Sequence, residues 1–362
     1  MEFADIIEKY RNIVDAEIGN FFDAKIAILQ DDFLRESYGH LKEFVLGPGK
    51  RLRPVSMIMA YSAVNGSGGE KEEMAYHLSI VPEMVHCSTL IHDDLIDEGK
   101  VRRHKPTMHK LFEQKFREKF NDRHHYGDLF SSHSKRFAVS MAMLQGNILN
   151  SLVSSCIMES GLKESLKNKA VRMFNGAYSK TNEGQMLDLA ISEKDIVAEE
   201  EYIRMASAKT ASLFSASLKF GAMMNNARPS QLDALDKYSN AVALAFQIQD
   251  DLMDISREME KGRAIGTDIR KGNKTLIIVN ALGKCSEDDK KALLGVLGSS
   301  TSEKDMEKAI GIIKASGALE YAANYANELA GKAKEYLKKA KLNGHGSKFF
   351  GDFAEFAVKR SY

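Results

Sequence analysis

Proline is scarce, five in 362 residues. Few positions therefore lack a backbone N–H or clash with a preceding helical turn, which favours long uninterrupted helices. Cysteine is scarce as well. Cys87, Cys156 and Cys285 are odd in number, widely spaced and without a CxxC pair; this excludes a zinc ribbon and fits a reducing cytoplasm. Neither sign of charge is in excess, with 51 Lys and Arg against 50 Asp and Glu, and that balance argues against broad electrostatic binding of nucleic acid. No sustained alternation marks a half-buried strand, and no GxGxxG or GxxxxGK[ST] follows one. The opening MEFADIIEKYRNI lacks the apolar run of a secretory signal. Residues 137–158 carry no charge, but Gln145, Asn147, Asn150 and several serines are costly in lipid. They read as a buried helix of a bundle, with no integral membrane span.

What is present is helical periodicity. Ile6, Tyr10, Ile13 and Val14 share one stripe. EEYIRMASAKTASLFSASLKFGAMM repeats apolar residues every three or four positions, and LDALDKYSNAVALAFQIQDDLMDI does the same. LGPGK at 46–50, NGSGG at 65–69 and the surroundings of Gly272 punctuate these runs. Hydrophobic residues make up 44% and charged residues 28%, enough for a packed core and against disorder. No linker separates two self-contained cores, so the expectation is an all-α, single-domain helical bundle over 1–362. One charged insertion at about 111–136 breaks the rhythm. It holds His124, His125 and His133, but no Cys accompanies them and the spacing fits no common metal motif, so it reads as a solvated excursion.

The chemistry begins at LIHDDLIDEGKVRRHKP. Asp93, Asp94 and Asp97 lie within five residues after the uncharged MVHCSTLI. Positions three and four apart share a helix face, so these like charges repel unless something offsets them. A second copy decides the reading: FQIQDDLMDI places Asp250, Asp251 and Asp254 at the same spacing, 157 residues on. Oxygen-only donor sets select hard cations, and Mg2+ binds through one or two carboxylates plus phosphate oxygens. Two DDxxD clusters thus predict a bridged polyphosphate rather than a closed cage. Cations accompany them: Lys50, Arg51 and Arg53 in GPGKRLRP, Arg102 and Arg103 in KVRRHKP, and Arg263 and Lys274 in KGRAIGTDIRKGNKT. Arg grips phosphate with paired hydrogen bonds and Lys acts as a mobile charge. His86, seven residues before Asp93, lies two turns back on the same face.

Taken together, GKRLRP, HCSTLIHDDLID, RRHKPT, GQMLDL, AKTASLF, FQIQDDLMD and GTDIRKGNKT resemble the trans-isoprenyl diphosphate synthases, over about residues 40 to 280. The resemblance implies an isoprenoid synthase fold, a helical bundle around a central cavity, in a cytoplasmic homodimer. It implies condensation of isopentenyl diphosphate with an allylic diphosphate by ionisation, condensation and elimination, assisted by Mg2+ ions, usually three in that family. Asp93, Asp97 and Asp250 would be direct metal ligands, with Asp94, Asp251 and Asp254 direct or through water. Arg102, Lys209, Arg263 and Lys274 would hold the allylic diphosphate; Lys50, Arg53, His86 and Arg103 the isopentenyl one. Thr210 and Gln247 would turn oxygen dipoles to the allylic cation, with Gln185 and Asp188 in support. Ser88 and Thr89 lie about one turn before Asp93, where short-product relatives often carry aromatics, with Val85 a turn deeper; the small pair predicts a product of C20 or longer.

The chain departs from the pattern in four places. His104 follows the Arg pair where Gly is common, Gly146-Asn147 replaces a Gly-Asp pair, the 111–136 stretch is long, and Pro82 falls where the first motif's helix should run, so that helix starts late or kinks. A class I terpene cyclase shares the first motif but normally carries an Asn/Ser/Glu-type second one. A regulatory subunit need not keep both clusters. A nucleic-acid binder would explain KVRRHKP but not two carboxylate triads.

Overall fold

The computed structural model describes residues 2–66, 68, 70–256, 266–299 and 302–359; Arg263, expected at the allylic diphosphate, lies outside them. The all-α expectation holds. Among the described residues the strand pairing is limited to β1 (Val101–Arg102) against β2 (Lys105–Pro106), an antiparallel two-residue hairpin, and an isolated bridge between His124 and Ser132. The chain divides into two compact units, one within 1–62 and 67–175, the other within 63–66 and 176–362.

In the first unit, α1 (Phe3–Ala27), α2 (Asp32–Val45), α3 (Leu52–Asn65, whose end belongs to the second unit) and α4 (Glu70–Leu78) lead to α5 (Ile80–Ile96). The hairpin, α6 (Met108–Lys119), α7 (His133–Glu159) and the start of α8 (Glu164–Ser192) follow. Local chemistry sets the ends: Asp31 accepts from the N–H of Leu34 at 2.9 Å to open α2, and Ser132 accepts from Lys135 to open α7. Pro82 has the effect expected of it. α4 stops at Leu78, the chain turns at Ser79, and α5 starts at Ile80, so Pro82 occupies a first turn where its missing N–H is not needed. The first half of the charged insertion is α6. Residues 137–158 lie within α7, and no described helix is long and apolar enough to cross a membrane.

α5 packs along α7 because both present small residues at the contact. Ser88, fully buried, donates to the carbonyl of Gly146 at 2.8 Å, and the bare Gly146 accepts the His92 ring, whose Nε2 would lie 2.3 Å from a Cβ there.

In the second unit, the rest of α8 leads to α9 (Glu199–Ala206), a π-helical turn (Ser207–Ala211) and α10 (Ser212–Met224). α11 (Pro229–Ser256), α12 (Thr267–Lys271), α13 (Leu276–Lys284), α14 (Glu287–Val296), α15 (Glu303–Ala315), α16 (Ala318–Ala340) and α17 (Gly344–Lys359) complete it. α16 buries a row of alanines, Ala322, Ala326, Ala330 and Ala333, which lets it lie close along α11. The Tyr238 hydroxyl of α11 donates to the carbonyl of Phe350 in α17 at 2.7 Å. These contacts fix α11 along its length, and with it the second aspartate cluster at its end.

Candidate active site

The first aspartate cluster lies at the C-terminal end of α5. Asp93 and Asp94 occupy its last turn and Asp97 caps it, its N–H bonded to the Asp93 carbonyl at 2.9 Å. The hairpin folds back onto this end. Arg103 and His104 form its two-residue turn with φ of 52° and 64°, the left-handed pair that matches strand twist in tight hairpins. The reversal brings the Arg102 Nε to 2.9 and 2.8 Å from the two Asp94 oxygens and its NH2 to 3.4 Å from Asp93. Asp94 is buried and its oxygens are engaged by this cation.

Cations converge two turns back, at His86. His86 is half-buried. Burial and then Arg53, Arg103, Arg102 and Arg51 push its pKa well below the usual 6.5, so the imidazole is neutral at physiological pH. Arg103 lies against the 46–50 turn: its NH1 is 3.4 Å from the Gly47 carbonyl, and a Cβ on Gly49 would come within 3.2 Å of its guanidinium. Lys50 is exposed at that turn. Arg51 also donates to the Gly47 carbonyl, at 2.9 Å, but is held by acids. It is buried, takes a φ of 51°, and pairs with Asp15 at 2.7 Å and Glu83 at 2.9 Å. Arg53, His86 and Arg103 are thus brought together, while Arg51 anchors the turn that carries them.

Thr89 is four residues before Asp93 and three after His86, which puts it on their face of the helix; it is half-buried. Val85 and Ser88 are fully buried, with Ser88 turned to α7.

The second aspartate cluster lies at the end of α11. Asp251 is buried and fully engaged: Tyr202 donates to Oδ2 at 2.7 Å and the Gln247 amide to Oδ1 at 3.0 Å. Thr210 in turn donates to the Gln247 carbonyl at 3.0 Å, so Thr210, Gln247 and Asp251 form one chain. Asp254 accepts from the N–H of Asp268 at 2.9 Å, tying α11 to the first turn of α12. Asn273 donates to Asp268 at 2.8 Å. Lys209 pairs with Asp188 at 2.7 Å. The π-helical turn that presents Lys209 and Thr210 rests on Gly184 of GQMLDL, where a Cβ would lie 2.4 Å from the Lys209 nitrogen. Lys274 is buried, and the acidic groups acting on it are Asp195 and Glu193.

Tyr202 carries no mark in the sequence. It is one apolar-periodic residue of EEYIRMA, 49 residues from its partner. Asp268 lies within GTDIRKGNKT. Burial, then repulsion from Asp268, drives the Asp251 carboxyl far above the usual carboxylate range; burial and Asp254 do the same to Asp268. Carboxylates crowded into a buried space at this cost are short of a cation. All the donors are oxygen, so the residues fit Mg2+. Among the described residues no three His, Cys, Asp or Glu side chains form a ready-made metal cage.

The sequence profile described as Polyprenyl synthetase matches residues 35–313. A short chain isoprenyl diphosphate synthase of Methanothermobacter thermautotrophicus is 33% identical over 339 residues, 93% of each chain. The crystal structure of geranylgeranyl pyrophosphate synthetase from Pyrococcus horikoshii superposes with a TM-score of 0.82 at 30% identity, over 99% of this chain and 98% of that one. A geranylgeranyl pyrophosphate synthase of Corynebacterium glutamicum, solved with isoprenyl diphosphate and magnesium, gives 0.87 at 25% identity, over 98% and 99%. An all-helical fold with an Asp-rich motif at the end of each of two long helices is that of the isoprenoid synthases. This chain belongs to the polyprenyl synthetase family, the trans-isoprenyl diphosphate synthases.

Proposed function

We propose that the chain condenses isopentenyl diphosphate with an allylic diphosphate to give a trans-prenyl diphosphate of C20 or longer. The observation that carries the reading is the pair of DDxxD clusters, each at a helix end, the first paired with Arg102 and the second joined through Gln247 to the turn that carries Lys209. Asp93 and Asp97, with Asp94 behind Arg102, and Asp250 and Asp254, with Asp251 behind Tyr202 and Gln247, would hold Mg2+. When bound, Mg2+ supplies positive charge to a departing diphosphate.

The remaining roles fall to side chains. Lys209 and Lys274, with Arg263, are proposed for the allylic diphosphate, and Arg102 joins them by exchanging one carboxylate contact for phosphate. Lys50, Arg53, His86 and Arg103 are proposed for the isopentenyl diphosphate, where neutral His86 donates a hydrogen bond without adding repulsion to four neighbouring cations. The Thr210 hydroxyl donates its hydrogen bond to Gln247, which leaves its oxygen lone pairs to face developing positive charge on the allylic carbon. The names of the structural relatives, both geranylgeranyl synthases, support a product of about that length, as does the small Thr89 beside Asp93.

A second copy of the chain is proposed as partner. On α7, Ser140, Met143, Leu144, Asn147, Ser151 and Met158 are exposed along one stripe without a single charge, unusual for a helix face meant for water. A cytoplasmic location is proposed from the three free cysteines.

The experiment is diphosphate release from an allylic substrate in the presence of Mg2+, with and without isopentenyl diphosphate. Release only when both substrates are present, together with a longer prenyl product on chromatography, is expected. Release from the allylic substrate alone would instead make the chain a cyclase. Asp93→Asn and Asp250→Asn should each slow turnover by about a hundredfold or more.

A further inference from the structure

The prenyl-transfer reading makes no use of residues 120–132, the loop between α6 and α7. This loop is closed at its base by its own contacts. The N–H of Ser134 donates to Asp122 at 3.0 Å, His124 pairs with Ser132 across a bridge, and its Nδ1 lies 3.0 Å from the Ser131 carbonyl. Beneath the tip His125 is buried, its ring 4.7 Å from that of Tyr126 and 5.3 Å from that of His133. With its base closed, the loop holds Tyr126 and Leu129 out in water, 91% and 83% exposed.

The surroundings of these two side chains are cationic. Residues 114–136 contain six Lys and Arg against three Asp and Glu; Lys115 and Lys119 pair with Glu36 and Arg117 with Glu113, so the cations outside those pairs are Arg123, Lys135 and Arg136, with Asp128 exposed between the two apolar side chains. One of the three acids, Asp122, is held by Ser134 and Arg117. Arg123, Lys135 and Arg136 are exposed.

We propose that this tip docks the protein on an anionic lipid surface. Tyr126 and Leu129 enter the boundary between headgroups and acyl chains, while Arg123, Lys135 and Arg136 meet the lipid phosphates. Two considerations select a bilayer over a protein partner. A specific protein interface needs well over a thousand Å2 of complementary surface, which a tip of two apolar side chains does not offer. A fluid surface needs only side chains that insert, and a Tyr, apolar in its ring and polar at its hydroxyl, is suited to that depth. The cations add attraction to acidic headgroups and lose it with salt. Docking would also suit the proposed activity, since a product with a long apolar chain ends in a bilayer; this clause alone rests on that reading.

The test is co-sedimentation of the full chain, without substrate, with vesicles of phosphatidylcholine and with vesicles of equal phosphatidylcholine and phosphatidylglycerol. Binding to the acidic vesicles, weakened by salt, is expected. Tyr126→Ser/Leu129→Ser and Lys135→Glu/Arg136→Glu should each lower it by about tenfold or more. Both pairs are on the surface and outside the catalytic machinery, so diphosphate release in vesicle-free solution should stay at the wild-type level. No enrichment on acidic vesicles, equal binding to both compositions, binding unchanged in both double variants, or self-association in place of sedimentation would each overturn the proposal. Because no substrate is used, failure here leaves the prenyl-transfer reading untouched, and failure of that reading leaves this result intact.

Discussion

His104 is the residue where this chain departs from its family at the least expected cost. A two-residue hairpin turn needs positive φ at both central positions, and Arg103 and His104 supply it at 52° and 64°. A side chain with a Cβ is strained there. His104 is exposed, so nothing is lost by removing the imidazole. His104→Gly should raise stability by about 0.5–1 kcal/mol, read as a higher urea midpoint with an unchanged slope; a lower midpoint would show that the imidazole makes a stabilising contact. Two neighbours on α5 diverge in the same way. The Ser88 side chain is committed to the Gly146 carbonyl, so Phe at 88 has to displace α7. Thr89 shares the face of His86 and Asp93, so Thr89→Phe is the substitution expected to shorten the product without a drop in melting temperature. Chain lengths equal to wild type would remove Thr89 from the length-determining set.

At the scale of elements, the contact between Gly184 and the π-helical turn leaves no room for a Cβ. A Cβ on Gly184 would meet the backbone of Lys209 at 2.4 Å and of Ala208 at 2.9 Å, and backbone cannot rotate away as a side chain can. Gly184→Ala should cost about 1–3 kcal/mol and lower turnover further, because the same turn presents Lys209 and Thr210. Full activity at wild-type stability would show that the two elements part freely.

This contact also marks where sequence reading stops. DDxxD is legible because its chemistry lies within five residues and repeats, and helix periodicity is legible for the same local reason. Gly184 was quoted in a motif, but its partner is 25 residues away, and Tyr202 meets Asp251 across 49. Pairings of that separation leave no periodicity. Thr210 and Gln247 are both expected to face the allylic cation; their bond to each other emerges only when α11 is packed against the π-helical turn. The break before Pro82 was legible, since proline acts on its own backbone.

For the whole molecule, the uncharged stripe of α7 is the feature most in need of a covering surface. Met143 and Leu144 are 51% and 54% exposed at its middle. Met143→Glu/Leu144→Glu should halve the mass seen by light scattering, because two carboxylates are expensive to bury in an apolar interface. A double variant with the mass of the wild type would place the interface elsewhere.

Asp15 belongs to α1, ahead of the region that the family profile covers, yet its carboxylate is one of two that neutralise Arg51 at the base of the 46–50 turn. Lys50 and Arg53 flank that arginine. The first helix is therefore a buttress of the loop proposed to face the isopentenyl diphosphate. A chain trimmed to residues 35–313 would leave a buried guanidinium with half its counter-charge, and the position of the loop would be the first thing to drift.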